Sequence, residues 1–525
     1  MAIKRYFATK DNTITNAFKS NLSTRGTGSN MGQSDILEVF SIYGQASSSS
    51  GLSSELSRVL IEFDTTDISS DRTAGSIPAS GSVSFYLKMY NAKHGQTLPK
   101  SYTMEVKAIT GSSGTREWEE GFGLDMEGYT DSTANGTGSN WVNRKSATAW
   151  TTAGGDYANP DADLSSSFTQ ALDDGTEDLE IDITTLVEQW ISSSANLDTA
   201  TDMGSKNNYG VGVMLSSSHE SESRSFYTKK FFSRSSEFFF KRPVLEARWD
   251  SRELDNRGNF IYSSSLATAD ENLNKIYLYN YFRGQLRNIP SIGTDSIYVS
   301  LFSGSADDSG PSGSALQLVV DGTHVTNVAR NTVITGSHSS TGIYTASVAL
   351  TAASTPLDTV YDVWFSGSDS VADASTASIR FQTGSIEPEL IEIHGSAPSG
   401  EHVTNITNLK PIYSTSETAR FRVYIREKDW CPTVYNVSSR DAENKQIESG
   451  SYKVFRVIDE LNVVPYGTGS DLHTGMSYDL SGNYFDLDVG MLEADYMYAI
   501  KFTYYNNSIG DWIEQPEVFK FRVEK

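Results

Sequence analysis

Apolar and polar residues alternate over short stretches of this chain. Arg58-Val59-Leu60-Ile61-Glu62-Phe63, Ser82-Val83-Ser84-Phe85-Tyr86-Leu87 and Phe421-Arg422-Val423-Tyr424-Ile425 carry the pattern most clearly. A period of two marks a strand with one buried face. Stretches rich in Ser, Thr, Gly and Asn separate these runs, and such residues favour turns. Long amphipathic helices are scarce. The pattern predicts an all-β chain of antiparallel sandwiches.

Two segments need a closer reading. Leu179-Glu180-Ile181-Asp182 reads as a strand, after which Ile183, Leu186, Val187 and Trp190 fall on one helical face. Asp182 or Thr184 is placed to cap that helix. From Asn274 to Ile289 the apolar residues suit either element. A strand is favoured, with Ile276, Leu278 and Phe282 on one face and Tyr277, Tyr279 and Tyr281 on the other, because Tyr and Ile pack well on a pleated surface.

Polar runs at Ser251–Asn259 and Thr383–Pro388 each follow a strand-like segment. They divide the chain into a domain at 1–250, a linker at 251–260, a sandwich at 261–385 and a second one at 386–525, all of ordinary domain size. Gly26-Thr27-Gly28-Ser29-Asn30 recurs at Gly136–Asn140 and nearly again at Gly467–Asp471. These read as turns, since Gly and Asn tolerate positive φ.

Charge narrows the partners. Lys and Arg number 42 against 66 Asp and Glu, a formal net charge of −24 over 525 residues. A polyanion is poorly suited to phosphate backbones, so nucleic acid is not an expected partner. Aromatic residues make up 11%, too many for a globally disordered chain. The lone cysteine, Cys431, excludes an intramolecular disulfide and a thiolate zinc cluster. No apolar run approaches the roughly 18 residues of a membrane span, and the N-terminal decapeptide has no signal-peptide core. Expected partners therefore exclude membranes, and the expected site of synthesis and assembly is a cytoplasm.

Catalytic motifs are lacking. No Walker-type run, no Gly-x-Ser-x-Gly and no His-x-x-x-His spacing occurs, and the 7 histidines are scattered. The protein is expected not to be an enzyme, and no metal or other cofactor is assigned. The carboxylate clusters at Asp125, Glu127 and Asp131 and at Asp161 and Asp163 have the ligand type that Ca²⁺ takes, but no Asp-x-Asp-x-Asp-Gly loop accompanies them.

One segment stands out by composition. Phe226-Tyr227-Thr228-Lys229-Lys230-Phe231-Phe232-Ser233-Arg234 is followed by Glu237-Phe238-Phe239-Phe240-Lys241-Arg242. Interleaved aromatics and cations suit stacking on bases or sugars or a subunit interface, and the reading favoured over both is a strand pair whose phenylalanines fill a core while lysines reach outward. Lys229, Lys230, Phe231, Arg234, Lys241 and Arg242 are the candidate partner contacts. Trp118, Trp141 and Trp150 sit in loop-like sequence and are the candidates for stacking on glycan, with burial as loop anchors the alternative.

Several phrases in the first 250 residues occur in a familiar order. They are Asp11-Asn12-Thr13, Ser57–Asp64, Trp118-Glu119-Glu120-Gly121, Asn140-Trp141, the Asp182 to Trp190 helix and Arg242-Pro243-Val244-Leu245-Glu246-Ala247. Together they resemble the DNRLRE domain family, which implies a jelly-roll sandwich related to carbohydrate-binding modules. Ile276–Gly284, Gly342-Ile343-Tyr344 and Thr359–Gly367 resemble immunoglobulin-like strands. Phe455–Leu461, Ser477–Leu487 and Glu514–Val523 resemble parts of large structural proteins of tailed phages of marine bacteria. The resemblance implies a non-enzymatic virion component of the neck, tail, baseplate or a fibre. Such a protein would bind other virion proteins and form a homo-oligomer. The competing expectation is a carbohydrate-binding or adhesion protein that holds polysaccharide through its N-terminal domain.

Overall fold

A bulge in the first strand organises the N-terminal part of the chain. Residues 3–7 of strand Ile3–Thr15 pair with Val244–Arg248, and residues 8–15 pair with Ser54–Phe63. The register shifts between Ala8 and Lys10. Such a bulge bends a strand and lets it leave one layer for another. The first layer runs Leu179–Asp182, Ser84–Met89, Val244–Arg248 and the start of Ile3–Thr15. The second continues through Ser54–Phe63, Val211–Leu215, Tyr102–Ala108 and Ser167–Leu172, with Ile36–Tyr43 bridging Ser54–Phe63 to Phe226–Phe232. The computed structural model describes residues 2–43, 54–93, 100–110, 117–124, 138–158, 167–192, 208–222, 226–305, 307, 309–324, 330–367, 374–375, 377, 379–391, 401–431, 433 and 444–525.

The alternation read from sequence sets the inner faces. Val59, Ile61 and Phe63 meet Phe85, Leu87, Leu245 and Ala247 in one buried cluster. Helix Thr184–Ser192 adds Leu186, Val187 and Trp190 to it. Of the two predicted capping residues Asp182 acts, its Oδ1 accepting the Thr184 N–H at 2.9 Å, and Thr184 is itself the first helical residue. The Thr184 hydroxyl donates to Asp182 Oδ1 at 2.5 Å and accepts the Phe85 N–H at 2.7 Å.

The chain divides into two compact units, residues 2–250 and 251–525. The second unit holds two sets of sheets. One sheet orders Asn274–Tyr279, Ile343–Val348, Ile334–Ser340, Ile297–Gly304, Val360–Ser366 and Ile379–Ile386. Every one of these strands contributes to a single cluster around Trp364, so the sheet curls over its own core. The other set is a four-stranded sheet, His402–Ile406 to Ser477–Asp479, and a six-stranded one that includes Gly450–Arg456, Met497–Asn506 and Phe519–Glu524. Aromatic rings from both sheets pack together. Tyr452 stacks on Phe485 with centroids 3.9 Å apart, and Phe485 stacks on Phe421 at 5.1 Å. The fold is all-β.

Asn274–Tyr279 is a strand, as its composition predicts. It ends at Asn280, because Arg283 and Gly284 take φ of +52° and +80° and turn a short hairpin. Two positive φ values in succession match the right-handed twist of paired strands. Phe282 and Tyr281 therefore stand exposed, where continuous alternation would have buried one of them.

The segment 251–260, expected as a linker, is packed within the second unit. Asp255 N–H donates to Tyr478 O and Tyr478 N–H donates to Glu253 O, both at 3.0 Å. The Tyr484 hydroxyl donates to Glu253 Oε2 at 2.7 Å. On the other side Arg257 grips Asp362 with two bonds of 2.6 and 2.7 Å. The polar groups of this run are taken up by the strands on either side.

Candidate functional site

The three candidate tryptophans are buried. Trp118, Trp141 and Trp150 form a second cluster with Ile14, Leu60 and Ile109, outside the main core and under residues 117–124 and 138–158. Trp118 Nε1–H donates to Tyr209 O at 3.0 Å, and Trp150 Nε1–H donates to Asn140 O at 2.9 Å. Buried indoles with satisfied N–H groups anchor loops. This corrects their assignment as glycan platforms, since none offers an open ring face.

Polar residues fix the same loops. Asn12, fully buried, donates to Ser139 O at 2.9 Å and accepts Met31 N–H at 2.8 Å. Asn30 Oδ1 accepts Gly123 N–H at 2.9 Å, and Trp141 N–H reaches Thr27 O at 3.1 Å. The Gly-Thr-Gly-Ser-Asn phrases are thus more than turns, since the first docks on the residues that follow the second. Arg58 lies over both Trp141 and Tyr157 and pairs with Glu220 through bonds of 2.9 and 2.6 Å. Nothing local flags that partner, which lies far along the chain.

The aromatic and basic segment splits by depth. Strand Phe226–Phe232 alternates, so Lys229 and Phe231 point inward and are fully buried. This corrects their assignment as partner contacts. Phe231 joins the main core. Lys229 Nζ donates to Asn91 Oδ1 at 2.8 Å and to the carbonyls of Gly175 and Glu177. Burial pushes its ammonium down to about 8, against the pull of Glu177 and Asp178.

The remaining contacts stay nearer the surface. Lys230 pairs with Glu38 at 2.5 Å. Arg234 grips Glu120 with two bonds, and its N–H donates to Asp11 Oδ2 at 2.6 Å. Arg242 bonds Ser236 O at 2.8 Å and lies over Phe239. Lys241 sits over Phe232 and Phe238, 5.0 and 5.3 Å from the ring centroids. Phe238 is 47% exposed. Lys241, Lys93, Asn91, Thr176 and Phe232 line a cavity of about 230 Å³. Two lysines near the exposed Phe238 ring form a local cationic, aromatic patch on an acidic chain.

Two buried carboxylates show opposite electrostatics. Burial opposes ionisation of Glu246, yet Arg5, Lys88 and Arg248 around it hold it well below the usual carboxylate range. Asp11 lacks such company. Burial pushes it up to about 7, with Glu120 adding and the Arg234 contacts opposing. The Asp11 Oδ1 atom is buried without a hydrogen-bond partner. The carboxylate clusters at Asp125 to Asp131 and at Asp161 and Asp163 lie outside the described residues. Among the described residues no group of three or more His, Cys, Asp or Glu is placed to hold a metal ion, and no helix is long and apolar enough to cross a membrane.

No protein-family model matches this sequence, and no curated protein matches it. The fold itself defines the class, an all-β protein assembled from sandwich-like sheets.

Proposed function

We propose that this protein is a non-enzymatic structural component of a tailed-phage virion, in its neck, tail, baseplate or a fibre, with a jelly-roll N-terminal domain and immunoglobulin-like domains after it. It assembles with other virion proteins and with copies of itself. The observation that carries this reading is the packed segment 251–260. Arg257 ties it to one set of sheets and Glu253 ties it to the other. A joint of that kind keeps successive β-sandwiches from flexing as beads on a string, which is what a load-transmitting spacer requires. The patch at Phe238 and Lys241 supplies a surface suited to an acidic neighbour.

Density-gradient banding of particles from the source lysate, followed by mass spectrometry, tests the reading. Peptides of this chain are expected to co-band with tailed particles in stoichiometric amounts. Recovery only from the soluble fraction would overturn it. Light scattering of the purified protein then gives the symmetry, with a trimer, hexamer or larger ring expected.

A further inference from the structure

One hairpin of the second unit carries cations that no carboxylate answers. Elsewhere in the fold arginines find acidic partners, as Arg72 does in Glu188, Arg422 in Asp479 and Arg456 in Asp459 and Glu493. Arg283 and Arg287 are exposed, and among the described residues neither is paired with an acid. Both lie over the ring of Phe282 instead, with guanidinium carbons 5.3 and 5.5 Å from its centroid. Phe282 is itself exposed. Strand pairing agrees with that grouping. Phe282 stands opposite Gln285 and Asn280 opposite Arg287, so Phe282 and Arg287 share one face of the ribbon. Tyr281 and Leu286 belong to the other face and take no part.

The hairpin is fixed at its base. Arg287 N–H donates to Asn280 O at 3.0 Å, Asn280 N–H to Gly342 O at 2.8 Å, and Gly342 N–H to Asn288 Oδ1 at 2.6 Å. A tip held in this way loses little freedom on binding. Arginines stacked on a ring also keep their N–H forks oriented for paired oxygens. The turn by itself does not call for an arginine. Arg283 takes φ of +52°, where a two-residue hairpin favours Asn, Asp or Gly. An aromatic ring flanked by arginines is instead the composition of an interface anchor.

We propose that this hairpin docks on the acidic surface of a second copy of this chain, with Phe282 as the apolar contact and Arg283 and Arg287 gripping carboxylates. Charge selects the occupant. The chain has 66 acidic residues against 42 basic ones, so a second copy presents a surplus of carboxylates, and the guanidinium fork matches their two oxygens. Salt at cellular strength screens the mutual repulsion of two acidic copies beyond about 8 Å, which leaves the contact to the charges that meet locally. The inference rests on the self-assembly part of the function proposed above and names its surface. Association that needs the hairpin, without co-banding on particles, would sink the virion role alone. Co-banding with association that ignores the hairpin would sink this surface alone.

Sedimentation velocity of the full chain over a concentration series tests it. Arg283→Glu and Arg287→Glu are each expected to raise the dissociation constant of self-association about tenfold, the scale of one anchoring arginine. Arg283→Asn removes the cation yet suits the left-handed turn, so it should weaken association while keeping or raising the melting temperature. Lys520→Glu, at an exposed lysine on another sheet, is the charge control and should leave association unchanged. Flotation with phosphatidylserine vesicles tests an anionic lipid as the partner. A monomer at every concentration, unchanged association in the arginine variants, an equal loss in Lys520→Glu, or arginine-dependent vesicle binding in place of self-association would overturn the proposal.

Discussion

Arg257 holds the fully buried carboxylate of Asp362 in a two-pronged grip, with Nη1 and Nη2 at 2.6 and 2.7 Å from its two oxygens. Trp364 Nε1–H donates to the same carboxylate at 2.6 Å. Val360–Ser366 is buried over nearly its whole length, so Asp362 depends on these donors for its charge. Gly384 on the neighbouring strand leaves room for the pair. A Cβ there would stand 2.3 Å from Arg257 Nη1 and 2.6 Å from Asp362 Oδ1.

Arg257→Ala is accordingly expected to cost about 3–5 kcal/mol, since it strands a buried charge. Gly384→Ala is expected to disrupt the same pair by steric contact. The double variant should cost less than the sum, because both changes remove one interaction. Urea unfolding followed by tryptophan fluorescence measures all three, and additive costs would refute a shared cause.

The loop-anchoring tryptophans make a second case. Trp118→Ala and Trp141→Ala are each expected to destabilise the N-terminal unit by about 3–5 kcal/mol, as large-to-small changes in packed cores do. Thermal melting of the two variants checks this, and an unchanged melting temperature would refute the anchoring role.

Asp11 sets a pH dependence with a definite sign. Its value in the fold, about 7, lies above the ordinary 3.8, so the folded state binds the proton more tightly than the unfolded chain. The stability this contributes is full below about pH 4 and is lost as pH rises through 7, on the order of 4 kcal/mol. Burial likewise pushes Asp255 up to about 6, which acts in the same direction over a narrower window. Asp11→Asn is expected to be most stabilising, relative to the natural chain, near pH 8 and to flatten the decline. Melting curves between about pH 4 and 8 check it, and an unchanged slope would refute it.

Surface substitutions probe assembly. Phe238 is exposed, and Lys241 lies over its ring. Phe238→Ser with Lys241→Glu should leave melting temperature within about 0.5 kcal/mol of stability yet weaken self-association, read as a concentration-dependent fall in mass by light scattering. Lys229→Met should do the reverse. It removes the ammonium that donates to Asn91 Oδ1 and to the Gly175 and Glu177 carbonyls and lowers stability by about 1–3 kcal/mol.

The alternation of side chains was legible in the sequence, and with it the all-β class. Alternation is a local property, so Arg58 to Phe63 or Phe421 to Ile425 declare their buried faces without reference to anything distant. Helix Thr184–Ser192 was legible for the same reason, with its apolar spacing and its capping residue Asp182 adjacent in sequence. Tertiary structure alone decided which aromatic and charged residues face water. Lys229 and Lys230 are neighbours in a strand, yet one is enclosed by carbonyls from residues 175 and 177 and the other pairs with Glu38. Trp118 reads like a surface ring until residues more than ninety positions away supply its acceptor. The cavity beside His402 and Ile513 has no sequence signature at all. Its lining comes from residues 401–403, 428, 504–506 and 513–517, and a pattern read over a few neighbouring residues carries no information about which distant segments come together.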